Sequence, residues 1–277
     1  MKTGLGILSE GIESTKNVLI VGGSSGIGEA TAEKFIKEGY SVTNVSRTEC
    51  KVEGVVNVLC DVTDNDRYDK ILQDFVNKTS TLAALVYSAG FSMAAPLEHV
   101  EESDYKYLFE VNFFGYLKTL KAVLPLLRRA GGTSCVISSI AAVQPIAYDC
   151  FYTASKAALN GLTAALRYEL NPLGVNAVSV MPGGTKTRFT FKRKIYPSDS
   201  VGDYSSDMAN AVVALHDVEQ NGVAAKTVAD TVFGKCTYMS ASHTFASGLV
   251  NKIIFLLSRI LPQSASYAIG TKLFFNR

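Results

Sequence analysis

Asn17-Val18-Leu19-Ile20-Val21-Gly22-Gly23-Ser24-Ser25-Gly26-Ile27-Gly28 carries an apolar run into a glycine-rich turn, and a helix-forming stretch follows it to Glu38. Apolar, β-branched residues favour a buried strand, and the glycines beyond them permit a tight turn and close approach by another group. A helix opening at such a turn aims its free N–H groups and the positive end of its dipole at whatever sits there, which suits a pyrophosphate. A glycine cluster alone is equally an ordinary strand-to-helix turn; the strand before it and the helix after it favour the phosphate cradle. The candidate contacts are Gly22, Ser24, Ser25, Gly26, Ile27 and Gly28.

The same rhythm extends outward from this turn. Strand-like runs at 17–21, 41–45, 55–59, 82–87, 134–137 and 176–180 alternate with helix-like segments at 27–38, 66–77, 103–128 and 152–170. Strand, helix, strand in this order predicts parallel pairing. The fold class expected is α/β, a Rossmann-type doubly wound parallel sheet with helices on both faces. No Pro/Ser/Gly-rich linker or internal repeat divides the chain, so 17–277 is read as a single domain and 1–16 as a flexible leader. Residues 187–222 break the rhythm with Pro197, Gly202, several serines and a basic cluster at Arg188, Lys192, Arg193 and Lys194. A long irregular insertion there would be a substrate lid, with the cluster as its solvated face or, in the other reading, as a contact for a substrate's phosphate or carrier. Between Arg47 and Asp61 the chain is too short for the usual crossover helix, and a loop is expected.

At 47% hydrophobic and 19% charged, the 277 residues can bury one large core. A net charge of +2 provides no general field for nucleic acid, so partners must be recognised locally. Cys50, Cys60, Cys135, Cys150 and Cys236 form no C-x-x-C pair, and no histidine stands at metal-ligand spacing. They read as reduced thiols of a cytoplasmic protein without a metal site. The apolar stretch 249–261 holds Lys252 and Arg259 and is too short to span a bilayer. It is expected within a C-terminal apolar helix at about 247–261, buried or facing a partner, with peripheral membrane contact as the other reading.

Tyr152-Thr153-Ala154-Ser155-Lys156 sets a phenol and an ammonium at i and i+4, on one face of a helix. A free tyrosine titrates near ~10, and a nearby positive charge lowers that value, so the pair can make an acid/base. Y-x-x-x-K alone is also a surface tyrosine beside a solvated lysine. Ser139 changes the weighing: it ends an apolar strand thirteen residues before Tyr152 and offers a hydroxyl to a substrate oxygen. Ser138 is the neighbouring alternative.

Together, the Gly22, Gly26, Gly28 spacing and the Ser139, Tyr152, Lys156 set resemble the short-chain dehydrogenase/reductase family over roughly residues 17–246. The resemblance implies hydride transfer between a nicotinamide cofactor and an alcohol or ketone, with Tyr152 as acid/base and Lys156 also holding the nicotinamide ribose. It implies that Asn112 contributes a carbonyl that positions a water on Lys156, completing a proton relay; the bland reading is a polar residue in a helical bend. Asp61 and Val62 match the pair that contacts adenine, and Ser88, Ala89 and Gly90 lie in the N-N-A-G position. Pro182, Gly183, Thr185 and Thr187 match the P-G-x-x-x-T segment that holds the carboxamide. Val21 stands where the family commonly has a threonine that steadies the turn, and Tyr87 and Ser88 replace both asparagines. The bracing they supply must come from elsewhere.

Cofactor choice is read at the end of the second strand, where NAD enzymes place a carboxylate for the ribose 2′-OH. Here stand Ser46 and Arg47, a hydroxyl and a guanidinium fork suited to a 2′-phosphate, so NADP(H) is expected over NAD(H). The other reading leaves Arg47 solvated and gives the 2′-OH to Glu49. The C-terminal third resembles hydroxysteroid and retinol dehydrogenases, and with Phe189, Phe191, Phe233 and Phe245 it suggests an extended apolar substrate such as a hydroxysteroid. The alternatives are a 3-oxoacyl or acyl-glycerone-type carbonyl reductase, or a non-catalytic dinucleotide sensor on the same fold. Family members pair their long helices, so a homodimer or homotetramer through 103–128 and 152–170 is expected.

Overall fold

The computed structural model describes residues 16–238 and 244–275; the expected leader lies outside them but for Lys16. The first half builds β1 (Asn17–Val21), α1 (Gly26–Lys37), β2 (Ser41–Ser46), β3 (Val56–Leu59), α2 (Asn65–Lys78), β4 (Ala84–Tyr87), the short β5 (Met93–Ala94) and α3 (Glu102–Phe109). Then come α4 (Gly115–Ala130), β6 (Thr133–Ile137), α5 (Cys150–Leu170), β7 (Asn176–Pro182), and the short β8 (Thr185–Lys186) and β9 (Lys194–Ile195). The chain continues through α6 (Ser205–Gln220), the short β10 (Val223–Ala224), α7 (Ala225–Thr237), β11 (Thr244–Ser247), α8 (Leu249–Ile260) and α9 (Gln263–Phe275).

Seven strands form one parallel sheet in the order β11-β7-β6-β4-β1-β2-β3. Period-two alternation divides β1 between two cores. Leu19 and Val21 join Tyr68 and Leu72 of α2, Tyr116 and Val123 of α4 and Leu159 of α5. Val18 and Ile20 face Ala32 and Phe35 of α1 and Val228 and Val232 of α7. Burial on both faces explains why β1 is apolar throughout rather than alternating. The strand order reverses between β1 and β4, and a crevice opens there beyond the carboxyl ends of the strands.

Three expectations change. Residues 103–128 are not one helix: a π-helical segment, Glu110–Phe114, separates α3 from α4. The segment 187–222 is not irregular throughout, since α6 fills much of it. Its basic cluster is solvated only in part: Arg188, Lys192 and Lys194 are exposed, the last two bonded to Ser25 Oγ at 3.0 Å and to Asp104 at 2.5 Å, whereas Arg193 is buried against Glu219 at 2.6 Å. The expected loop between β2 and β3 is present. The C-terminal apolar helix is α8, with Leu249, Val250, Ile253, Leu256, Leu257 and Ile260 exposed, so it is not buried within the chain.

Candidate active site

Gly22 and Gly26 adopt φ of +87° and +60°, a region that side chains rarely enter. A Cβ on Gly22 would meet Ala89 N at 2.5 Å, so this turn lies directly against the end of β4. Gly28 works differently from the expectation, because a Cβ there would strike Gly22 O at 2.2 Å: it lets α1 close onto the turn and does not line the cavity. The steadying contact that Val21 cannot supply comes from buried Asn44 on β2. Its Oδ1 accepts from Gly23 N at 2.8 Å, and its Nδ2 donates to Ser46 Oγ and to Asn57 Oδ1.

The turn forms one wall of a cavity of about 1020 Å³. Every cofactor residue expected from the sequence lines it except Gly28; so do Ser139, Tyr152 and Lys156. Glu49 does not, whereas Arg47 does, its guanidinium 3.8 Å from Asp61 Oδ2 and largely exposed. Asp61 is held below the usual carboxylate range. Burial, the largest influence, works against this, and the Thr63 N–H and hydroxyl, Arg47 and Tyr107 together outweigh it. Ser46 Oγ donates to Thr48 O at 2.7 Å and accepts from Asn44 Nδ2 at 2.8 Å.

Helix α5 presents Tyr152 and Lys156 on the face turned toward β6, and the lysine Nζ lies 5.5 Å from the tyrosine ring centroid. Ser138 and Ser139 separate cleanly: Ser138 Oγ donates to Lys156 O at 3.0 Å, whereas the Ser139 hydroxyl is hydrogen-bonded to the Tyr152 phenol. In the protein alone, burial pushes the phenol above its ordinary value, with Ser139 as the largest opposing influence. Burial also pulls Lys156 down to about 7, and its Nζ donates to Ile137 O at 2.8 Å. In the protein alone, desolvation is thus the largest influence on both groups.

Asn112 stands behind this wall rather than in it. Its amide clasps the backbone of Phe91 twice, at 3.0 Å each, and donates to Ser155 Oγ at 3.1 Å. It nonetheless adjoins the lysine, since a Cβ on Gly90 would lie 3.1 Å from Asn112 Oδ1 and 3.4 Å from Lys156 Nζ. The π-helical segment around it has a matching partner: Tyr87 Oη donates to Val111 O at 2.6 Å. Tyr87 therefore braces the centre of the sheet where the family has asparagine.

The family model for short chain dehydrogenases matches residues 16–195. The chain belongs to the short-chain dehydrogenase family. Oxidoreductases of this family work with a nicotinamide dinucleotide, and the glycine turn, the helix N-terminus and the donors around the cavity fit one. The 3-ketodihydrosphingosine reductase of Bacteroides thetaiotaomicron is 33% identical over 74% of this chain and 77% of its own length. The NADPH-dependent 1-acyldihydroxyacetone phosphate reductase of Schizosaccharomyces pombe is 36% identical over 65% of this chain and 64% of that one, just under two thirds of its length. A short-chain dehydrogenase from Streptomyces avermitilis superposes with a TM-score of 0.77 at 25% identity, over 94% of this chain and 96% of that one.

Several site residues of this family member were not read from its sequence: Asn44, Asp149, Arg193 and Glu219. A polar residue inside the apolar strand 41–46 was the available signal for Asn44. For Arg193 the signal was the basic cluster 188–194, and for Asp149 and Glu219 the sequence offered none. Of the four phenylalanines expected around the substrate, Phe189 lines the cavity, Phe191 is exposed, and Phe233 of α7 and Phe245 of β11 pack against the core shared by α1, α7 and the sheet.

Proposed function

We propose that this chain is an NADP(H)-dependent enzyme that interconverts a secondary alcohol and a ketone, with Tyr152 as the acid/base. The carrying observation is the convergence of the Tyr152 phenol, the Ser139 hydroxyl and Lys156 on the wall of the cavity that also holds the glycine turn and Arg47. A non-catalytic dinucleotide sensor would have no use for that convergence.

Bound NADPH supplies the hydride. Tyr152 gives its proton to the substrate oxygen, Ser139 holds the same oxygen by hydrogen bonding, and Lys156 restores the proton and favours the phenolate when the reaction runs backward. Asn112 and Gly90 keep the backbone beside Lys156 in place, and Arg47 faces the 2′-phosphate.

The substrate we favour is a ketone on an extended apolar chain. Phe189, Ile146, Leu215, Val218, Ile254 and Phe274 give the cavity an apolar end. The names of the Bacteroides and Schizosaccharomyces relatives favour an acyl-type ketone over a hydroxysteroid. Arg193 and Lys194 are engaged in ion pairs, so Lys192 is the member of the basic cluster best placed to meet a phosphate.

The test is NADPH oxidation against a panel of acyl ketones, ketosteroids and retinal. Tyr152→Phe should abolish turnover while NADPH still binds, and Lys156→Ala should damage both. NADPH should bind at least about tenfold tighter than NADH, a ratio that Arg47→Asp erodes. Ordinary kcat in Tyr152→Phe would end the mechanism, and equal cofactor affinities would end the Arg47 assignment.

A further inference from the structure

Three local costs meet at one point on the cavity wall. Tyr148 has φ of 59°, the one positive value for a non-glycine residue among the described residues. The next residue, Asp149, occupies the N-cap of α5, where an aspartate ordinarily caps the helix, yet its side chain makes no capping bond. Instead the carboxyl turns inward: Oδ1 accepts from Met93 N at 3.2 Å, and Oδ2 is buried without a hydrogen-bond partner. A strained turn, a forgone cap and a desolvated lone oxygen each destabilise the fold, and such clusters mark functional positions.

The surroundings define what that oxygen would meet. Asp149, Ser92, Arg193 and Glu219 all line the cavity. Arg193 is the nearby cation: Nε donates to Ser92 Oγ at 2.9 Å and Nη2 to Glu219 Oε1 at 2.6 Å. Thr190 Oγ1 takes the other Glu219 oxygen. Arg193 is thus paired with Glu219 and reaches Asp149 only through its field. Burial pushes the Asp149 carboxyl up to about 7, against the Met93 N–H, the charge of Arg193 and a hydrogen bond from the Ser92 hydroxyl, which lower it, and with Glu219 raising it further. A cationic donor would relieve that desolvation.

Asp149 precedes Tyr152 by three residues, which sets the two side chains about one helical turn apart. The geometry points to Asp149 as a substrate-binding residue whose free oxygen accepts a hydrogen bond from a protonated amino group on the carbon beside the ketone. The substrate class is an α-amino ketone on an apolar chain, a reading that rests on the ketone reduction proposed above.

The experiment compares three ketones with the same decyl chain: the α-amino ketone, the α-hydroxy ketone and the ketone carrying neither group. With the native enzyme and NADPH, kcat/KM for the amino ketone should exceed both others at least about tenfold, the worth of a charge-assisted hydrogen bond. Asp149→Asn keeps an acceptor for Met93 N and removes the charge, and it should bring that ratio toward one. A purely structural aspartate would leave the ratio where it was. Equal rates of the native enzyme on the amino ketone and either comparator, or an unchanged ratio in Asp149→Asn, would overturn the assignment and leave the reductase standing. A native enzyme that reduces no ketone would overturn both.

Discussion

Asp149 and Lys156 share one predicament, since each is an ionisable group held out of water and pushed toward its neutral form. For Asp149 the folded pKa, about 7, lies above the unfolded value of 3.8, so the folded chain keeps a proton that the unfolded chain has released. Its stabilising contribution is fully present below the unfolded value and is lost as pH rises through about 7. Asp149→Asn, which cannot ionise, should therefore match the native protein near pH 4 and exceed it near pH 8. The gain is at most about 4 kcal/mol, three pKa units' worth. Denaturant unfolding at the two pH values measures it, and an equal difference at both would show that the carboxyl ionises freely. At this scale the sequence was legible where a residue type announces its chemistry at a known spacing, as with Tyr152, Lys156 and Ser139. Asp149 was not legible, because its role depends on Tyr148 turning the chain inward and on Met93 meeting it from β5.

The break between α3 and α4 follows the same logic one level up. A π-helical turn leaves backbone carbonyls misaligned with their usual donors. Here the Val111 carbonyl is taken by Tyr87, whose hydroxyl needs Gly115: a Cβ there would sit 2.2 Å from Tyr87 Oη and 3.2 Å from Glu110 O. Gly115→Ala should destabilise the native protein by about 1–3 kcal/mol, a typical range for overpacking. In the Tyr87→Phe background it should cost distinctly less, because the clashing oxygen is gone. Unfolding the two single variants and the double variant measures the coupling; strict additivity would remove Tyr87 as the reason for the glycine. Periodicity alone reads 103–128 as one helix, because the bulge comes from a contact with another strand and not from a local signal. Helix α6 was missed for a related reason: Pro197, Gly202 and the serines before it signal a loop, and the helix begins just after them. The strands were read closely where burial on both faces makes them continuously apolar, as in β1, β4 and β6.

Across the whole molecule, α8 does two things at once. Val250, Asn251 and Ile254 contribute to the cavity wall, while Leu249, Ile253, Leu256 and Ile260 face outward with Lys252 and Arg259 beside them. No helix among the described residues is long and apolar enough to cross a membrane; we propose that this apolar face with its flanking cations rests on a bilayer surface. Such contact would set the cavity wall beside the phase in which an apolar-chain ketone dissolves. Phe114, just before α4, and Tyr168, on α5, are exposed on the helices through which a homodimer or homotetramer is expected. The two surfaces can therefore be separated by experiment. The native protein should float with vesicles of phosphatidylcholine and phosphatidylserine, and Leu256→Glu with Ile260→Glu should leave it in solution. Its oligomeric state by sedimentation should not change if the oligomer forms through α4 and α5, since Leu256 and Ile260 belong to neither helix. If the substitutions instead reduced the oligomer while the native protein ignored vesicles, the apolar face of α8 would belong to a second copy of the chain. Substrate would then have to enter from water.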